Sequence, residues 1–158
     1  VRRVRLAALP FLSIALCYGV GAASASELVG PGRFCGYSPI IDLEKGERIT
    51  PLEGGIHGGS FRWEGSFGTL EVRGIGWAAR PKGPRLRHPS RTGATVFRPR
   101  LVDGLYQAAI WNGRQGAAYF SSPTPFTAAQ MAAIDRVALF QEGEDPGKCN
   151  LRTVFSWE

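Results

Sequence analysis

The sequence predicts an α+β domain in which β-structure predominates: a mostly antiparallel sheet, made of a hairpin and a three-stranded meander, with one helix near the C-terminus and a terminal strand. Three observations predict it. Asp103-Gly104 and Asn112-Gly113 each separate strand-like runs, and both dipeptides tolerate the positive φ that tight hairpin turns demand. The run from Ser60 to Trp77 alternates and reverses at Gly65-Ser66-Phe67-Gly68. Helical spacing behind a capping signal occurs once, from Thr127 onward.

Residues 1–25 read as an export leader. Arg2, Arg3 and Arg5 form a positive start, residues 6–20 are uncharged and apolar, and Ala23-Ser24-Ala25 supplies small residues for cleavage after Ala25. About 15 apolar residues, interrupted by Pro10, fall short of the roughly 20 that span a bilayer, so no membrane anchor is expected. Cys17 does not read as a lipidation site, because bulky Leu16 stands before it. Val1 in place of Met fits a GTG start and thus bacterial export, giving a periplasmic or secreted product. Residues 26–158 then form a single domain. A chain that is 44% hydrophobic and 11% aromatic is too apolar for disorder, and 158 residues are too few for separate cofactor and substrate domains.

Along that domain, residues 34–41 and 49–52 read as short strands. In the hairpin of 60–64 and 69–77, Leu70 and Val72 share one face whereas Ile75 and Trp77 take the other, which implies a bulge near Gly74 or Gly76. The meander comprises 95–102, 105–111 and 114–121. Two-residue turns place Val102 opposite Leu105 and Trp111 opposite Arg114. One face then collects Phe97, Pro99, Leu101, Tyr106, Ala108, Ile110, Ala117 and Tyr119 as core. The other carries Arg98, Arg100, Gln107 and Arg114, with Leu105, Trp111 and Phe120 at its ends. Pro99 lacks a ladder donor and marks an edge strand.

For the helix, Thr127 and Gln130 form the capping box, Phe126 and Met131 the hydrophobic staple, and Gly143 the expected stop. Met131, Ile134 and Ala138, with Val137 beside them, make a stripe that covers the sheet's apolar face. Asp135 and Arg136 fall on the polar side. Residues 149–157 read as the last strand.

Loss of the leader removes Cys17 and leaves Cys35 and Cys149, an even pair that reads as a disulfide in an oxidising compartment. The bond requires segments 33–37 and 149–153 to run together, with Cα atoms under about 7 Å apart. A redox or metal role would call for CxxC spacing, which is absent.

No cofactor or metal is expected. Two histidines some thirty residues apart have no ligand spacing, and the glycines lack the Lys-Ser/Thr ending of a phosphate loop. His57, within Gly54-Gly55-Ile56-His57-Gly58-Gly59-Ser60, and Ser60 itself are weak catalytic candidates. His57 could serve as base to Ser60 or Ser66, oriented by Asp42 or Glu64. The plain alternative is a flexible connection with an exposed imidazole. The incomplete set favours binding over catalysis.

Charge is the more informative feature. The formal net charge is +6, which becomes +3 once three leader arginines are removed. Between Glu71 and Asp103 stand eight basic residues and no acid. The candidate binding residues are Arg80, Lys82, Arg85, Arg87, Arg91, Arg98, Arg100 and Arg114, with Trp111 among them. Arginine offers bidentate bonds to carboxylate and phosphate, which suits an acidic protein or an anionic envelope polymer. The plain alternative is a solvated loop. Export argues against nucleic acid. The leading expectation is therefore a non-enzymatic exported binding domain, with a periplasmic inhibitor of an envelope or host hydrolase, or a small His57 hydrolase, as alternatives.

Overall fold

Alternating apolar residues over 49–122 build one large antiparallel sheet, and short apolar runs near both ends of the domain build a second. The computed structural model describes residues 27–141 and 144–152; the expected leader, 1–25, lies outside them. The strands are β1 (Leu28–Val29), β2 (Gly32–Cys35), β3 (Pro39–Leu43), β4 (Arg48–Gly54), β5 (Gly58–Gly65), β6 (Gly68–Ile75), β7 (Thr95–Val102), β8 (Leu105–Trp111), β9 (Ala117–Ser122), β10 (Ala138–Leu139) and β11 (Leu151–Arg152), with helix α1 (Ala128–Asp135) before β10. The large sheet has the order β1-β4-β5-β6-β9-β8-β7, and the small one β10-β3-β2-β11. Among the described residues the structure is thus β-predominant with one helix, as the sequence predicts.

The inner face of the large sheet presents Ile49, Phe61, Trp63, Leu70, Val72, Val96, Ala108, Ile110, Ala118 and Phe120, all buried. The small sheet covers part of it through Phe34, Ile41 and Leu43, with the Phe34 ring edge-on to Phe61 at 4.5 Å. Ala133, Ile134 and Val137 cover another part. The helix begins as its sequence dictates: the Thr127 hydroxyl accepts from the Gln130 N–H at 3.1 Å, and the Gln130 side chain accepts from the Thr127 N–H at 2.9 Å.

The helix ends at Asp135, well before Gly143, which lies outside the described residues. The reason is tertiary. Residues 138–139 leave helical spacing to pair with β3, so Ala138 sits opposite Ile40 and not on a helical stripe. The terminal strand is described for Leu151–Arg152 and runs parallel to β2, while 153–157 lie outside the described residues. Cys35 and Cys149 are disulfide-bonded, with Cα atoms 5.9 Å apart.

Two register expectations are overturned. The β5–β6 pairing runs unbroken from Gly58↔Ile75 to Gly65↔Gly68, without a bulge near Gly74. Gly74 continues the inner face of Leu70 and Val72, opposite Gly59, because the small sheet leaves no room there for a side chain. A Cβ on Gly74 would lie 2.6 Å from Pro39 Cδ, and one on Gly59 would overlap the Tyr37 ring. Gly74→Ala is expected to cost about 1–3 kcal/mol through overpacking, read as a lower urea midpoint; an unchanged midpoint would refute this close fit.

In the meander, Val102 pairs with Leu105 across Asp103-Gly104 as expected, but Trp111 pairs with Ala117 and not with Arg114. Asn112 turns its side chain back on the loop, its Oδ1 accepting from the N–H groups of Arg114 and Gly116 at 2.9 and 3.1 Å. The odd-numbered shift exchanges the faces of β9. Phe120 moves into the core, and Ala117 and Tyr119 move to the outer face. A bulge between Phe97 and Arg100 does the same to Phe97, because Pro99 cannot donate to the ladder. Pro99 and Leu101 are exposed, not core. As expected of a strand carrying Pro99, β7 closes one end of the sheet.

Candidate functional site

The connection 76–94 carries Pro81, Pro84 and Pro89, which hold it extended, and it returns along the outside of β7. Leu86 N–H donates to Val96 O at 2.8 Å and Arg98 N–H donates to Pro84 O at 2.9 Å, so the edge strand gains a short partner around Arg85. Gly83, at φ 110°, turns the chain there; a Cβ on it would stand 3.7 Å from Arg100 Cδ. Farther back, Ala78 N–H donates to Gln115 O at 2.6 Å, and the Arg80 guanidinium lies 5.9 Å from the centre of the Phe97 ring. That cover explains why Phe97 is buried although it faces outward.

This route brings Arg80 and Arg85 beside β7, which itself carries Arg98 and Arg100, with Lys82 and Arg87 on the same connection. All six are exposed, and none makes an ion pair among the described residues. Arg100 also acts on the half-buried Tyr119. Burial raises the phenol's pKa, while the positive charges of Arg100 and Arg73 pull it down. Tyr119 was expected in the core, and only the register shift in the 112–116 loop reveals it as an outer-face neighbour of both arginines.

The remaining candidates are not gathered here. Arg91 bonds Asp135 at 2.8 Å, close to the end of α1, and Arg114 bonds Glu144 at 3.1 Å. Trp111 is half-buried at the end of β8 opposite Thr95, and its indole N–H donates to Arg114 O at 3.0 Å. The acidic partners stand 44 and 30 residues away in sequence, out of reach of any local pattern.

Ser66, Asp42 and Glu64, the other groups expected around His57, are placed or engaged elsewhere. His57 is exposed and stacks edge-on against Trp77 at 5.9 Å. Ser66 follows the far end of β5, roughly 30 Å along the strand from His57 at about 3.3 Å per residue. Asp42 is held by two bonds from Arg33, at 2.6 and 2.8 Å, which lower its pKa. Glu64 is held by Arg48 at 2.8 Å, and its pKa is lowered by that bond. Neither carboxylate is placed to orient an imidazole. Among the described residues no group of three or more His, Cys, Asp or Glu is arranged to hold a metal ion, and no helix is long and apolar enough to cross a membrane.

No protein-family model, curated protein or solved structure matches the chain.

Proposed function

We propose that the protein is an exported, non-enzymatic domain that binds an anionic polymer of the cell envelope through Arg80, Lys82, Arg85, Arg87, Arg98 and Arg100. One observation carries the reading: these six exposed cations are aligned on one sheet edge and its flanking connection, and no described acid neutralises them. By contrast, Arg91 and Arg114 are paired with Asp135 and Glu144 and stand apart from this row, and the Trp111 indole N–H is spent on Arg114 O. An extended row of guanidinium groups suits a repeating polyanion, since each can take a phosphate or carboxylate in a bidentate fork. Export is supported by the leader pattern in 1–25 and by the disulfide, a bond that persists in oxidising compartments.

The test uses the oxidised protein, purified envelope material and heparin as a model polyanion. Binding is expected to weaken steeply with salt. The variant carrying Arg85→Glu, Arg87→Glu, Arg98→Glu and Arg100→Glu is expected to bind at least about tenfold more weakly. Arg91→Glu and Arg114→Glu should change binding far less. Absence of binding by the parent, or indifference to the fourfold reversal, overturns the proposal. A tight stoichiometric complex with an envelope or host hydrolase would instead support an inhibitor.

A further inference from the structure

At the opposite side of the large sheet's outer face, one cross-strand row carries an acid, a hydroxyl and a base. Glu53 on β4 is the register partner of Ser60 on β5, and Ser60 is the partner of Arg73 on β6. Their orientation follows from strand alternation: Phe61 and Trp63 point into the core, so Ser60 and Arg62 point out. The row borders a groove of about 380 Å³, whose wall is completed by Glu71 and by the backbone of Gly58 and its neighbouring glycines.

Within that groove Ser60 is anomalous. It is only 9% exposed, and its hydroxyl oxygen is buried without a hydrogen-bond partner among the described residues. A buried polar atom left unsatisfied is destabilising, and its retention calls for a reason beyond the fold. On either side stand exposed groups of opposite charge. With strands about 4.8 Å apart, the Glu53 and Arg73 backbones are separated by roughly 10 Å, with Ser60 midway. No ion pair among the described residues occupies either of them.

We infer that this groove binds a small zwitterion of the amino-acid or short-peptide class. Its carboxylate would lie on the Arg73 guanidinium, which matches it in a two-bond fork. Its ammonium would lie on Glu53, since Glu71 faces Arg62 across the strands, and a polar atom between its two charged ends would satisfy the Ser60 hydroxyl. The charge pattern selects against the alternatives. A simple anion meets two carboxylates, and a simple cation meets Arg73. A sugar finds no aromatic platform among the described residues that line the groove. The site is independent of the polyanion surface, which lies along β7.

The test titrates the oxidised protein with alanyl-alanine, following backbone amide shifts by NMR and heat by calorimetry. Acetate, methylammonium and glucose serve as separate probes. Saturable binding of alanyl-alanine is expected, with shifts centred on residues 58–60 and 71–73. Arg73→Met and Glu53→Gln should each weaken it at least about tenfold. Ser60→Ala should weaken binding while leaving thermal stability unchanged or higher, since it removes an unsatisfied group; a merely structural serine would lower stability instead. The inference is overturned if alanyl-alanine does not saturate, if any of the three comparison probes binds as tightly, or if the folded variants bind like the parent.

Discussion

Glu47→Ala is expected to lower the stability of the fold by about 3–5 kcal/mol, the range for removing one partner of a buried ion pair. The turn that joins β3 to β4 carries the small sheet over onto the large one, and Glu47 ends it with its side chain turned inward, only 4% exposed. Both carboxylate oxygens are used. One accepts from the Trp63 indole N–H at 3.3 Å and from the Glu44 N–H at 3.1 Å, and the other accepts from the Arg136 guanidinium. Arg136 caps the C-terminus of α1, lies over the Trp63 ring at 5.1 Å, and donates to Asp42 O at 2.9 Å. Helix, small sheet and large sheet thus meet at one carboxylate. Its removal leaves the indole N–H without an acceptor and takes from a largely buried guanidinium its close carboxylate, so that Arg136 keeps only the Asp42 carbonyl and, at 3.6 Å, the exposed Glu44; the guanidinium accounts for most of the cost. Urea unfolding should show a lower midpoint at unchanged slope. Glu47→Gln, which keeps an acceptor but loses the charge, should fall between. Combining Glu47→Leu with Arg136→Met should recover much of the loss, because no charge is then buried alone. A Glu47→Ala loss under about 1 kcal/mol would refute this role, since ordinary surface substitutions already reach half that.

That node also marks the limit of what the sequence discloses. Arg136 reads as the polar side of a helix, and nothing local couples it to a residue 89 positions earlier. The small sheet is hidden for the same reason: β10 meets β3 across nearly the whole domain, and two residues of strand leave no periodicity to detect. What local chemistry dictates is legible. Asp103, at φ 49°, and Gly104, at φ 82°, adopt the left-handed conformation that their dipeptide favours, and the β7–β8 register beside them follows. Thr127 and Gln130 fix the start of α1 in the same way. Asn112-Gly113 misleads because asparagine has a second option. Its side chain can bond the loop backbone, and here it does so twice, lengthening the turn and exchanging Tyr119 for Phe120 in the core. At the candidate surface the concentration of arginine is plain in the sequence. Which arginines are already neutralised is not, because Asp135 and Glu144 reach Arg91 and Arg114 only through the fold.

Reduction of the disulfide is expected to cost about 2–5 kcal/mol. The two cysteines are 114 residues apart, so the bond removes from the unfolded ensemble a loop that includes nearly all the described chain. In the chain-entropy account a loop of that size corresponds to roughly 4.7 kcal/mol. The native state accepts the link without rearrangement, because the segments are adjacent on other grounds. Leu151 pairs with Phe34 in parallel register, Asn150 N–H donates to Arg33 O at 2.8 Å, and Arg33 N–H donates to the Asn150 side chain at 2.6 Å. Once the tether is cut, these bonds remain to hold β11 to β2. Two effects should therefore separate experimentally. Globally, the reduced protein and the Cys35→Ser/Cys149→Ser variant should unfold at lower urea, with a steeper slope, because an untethered unfolded chain exposes more surface. Locally, amide exchange at residues 150–152 should accelerate under native conditions by more than at Phe61 or Trp63, whose strands sit inside the large sheet. Equal acceleration at all these positions would mean that β11 opens only with the whole fold. An unchanged midpoint on reduction would mean that the bond contributes nothing to stability.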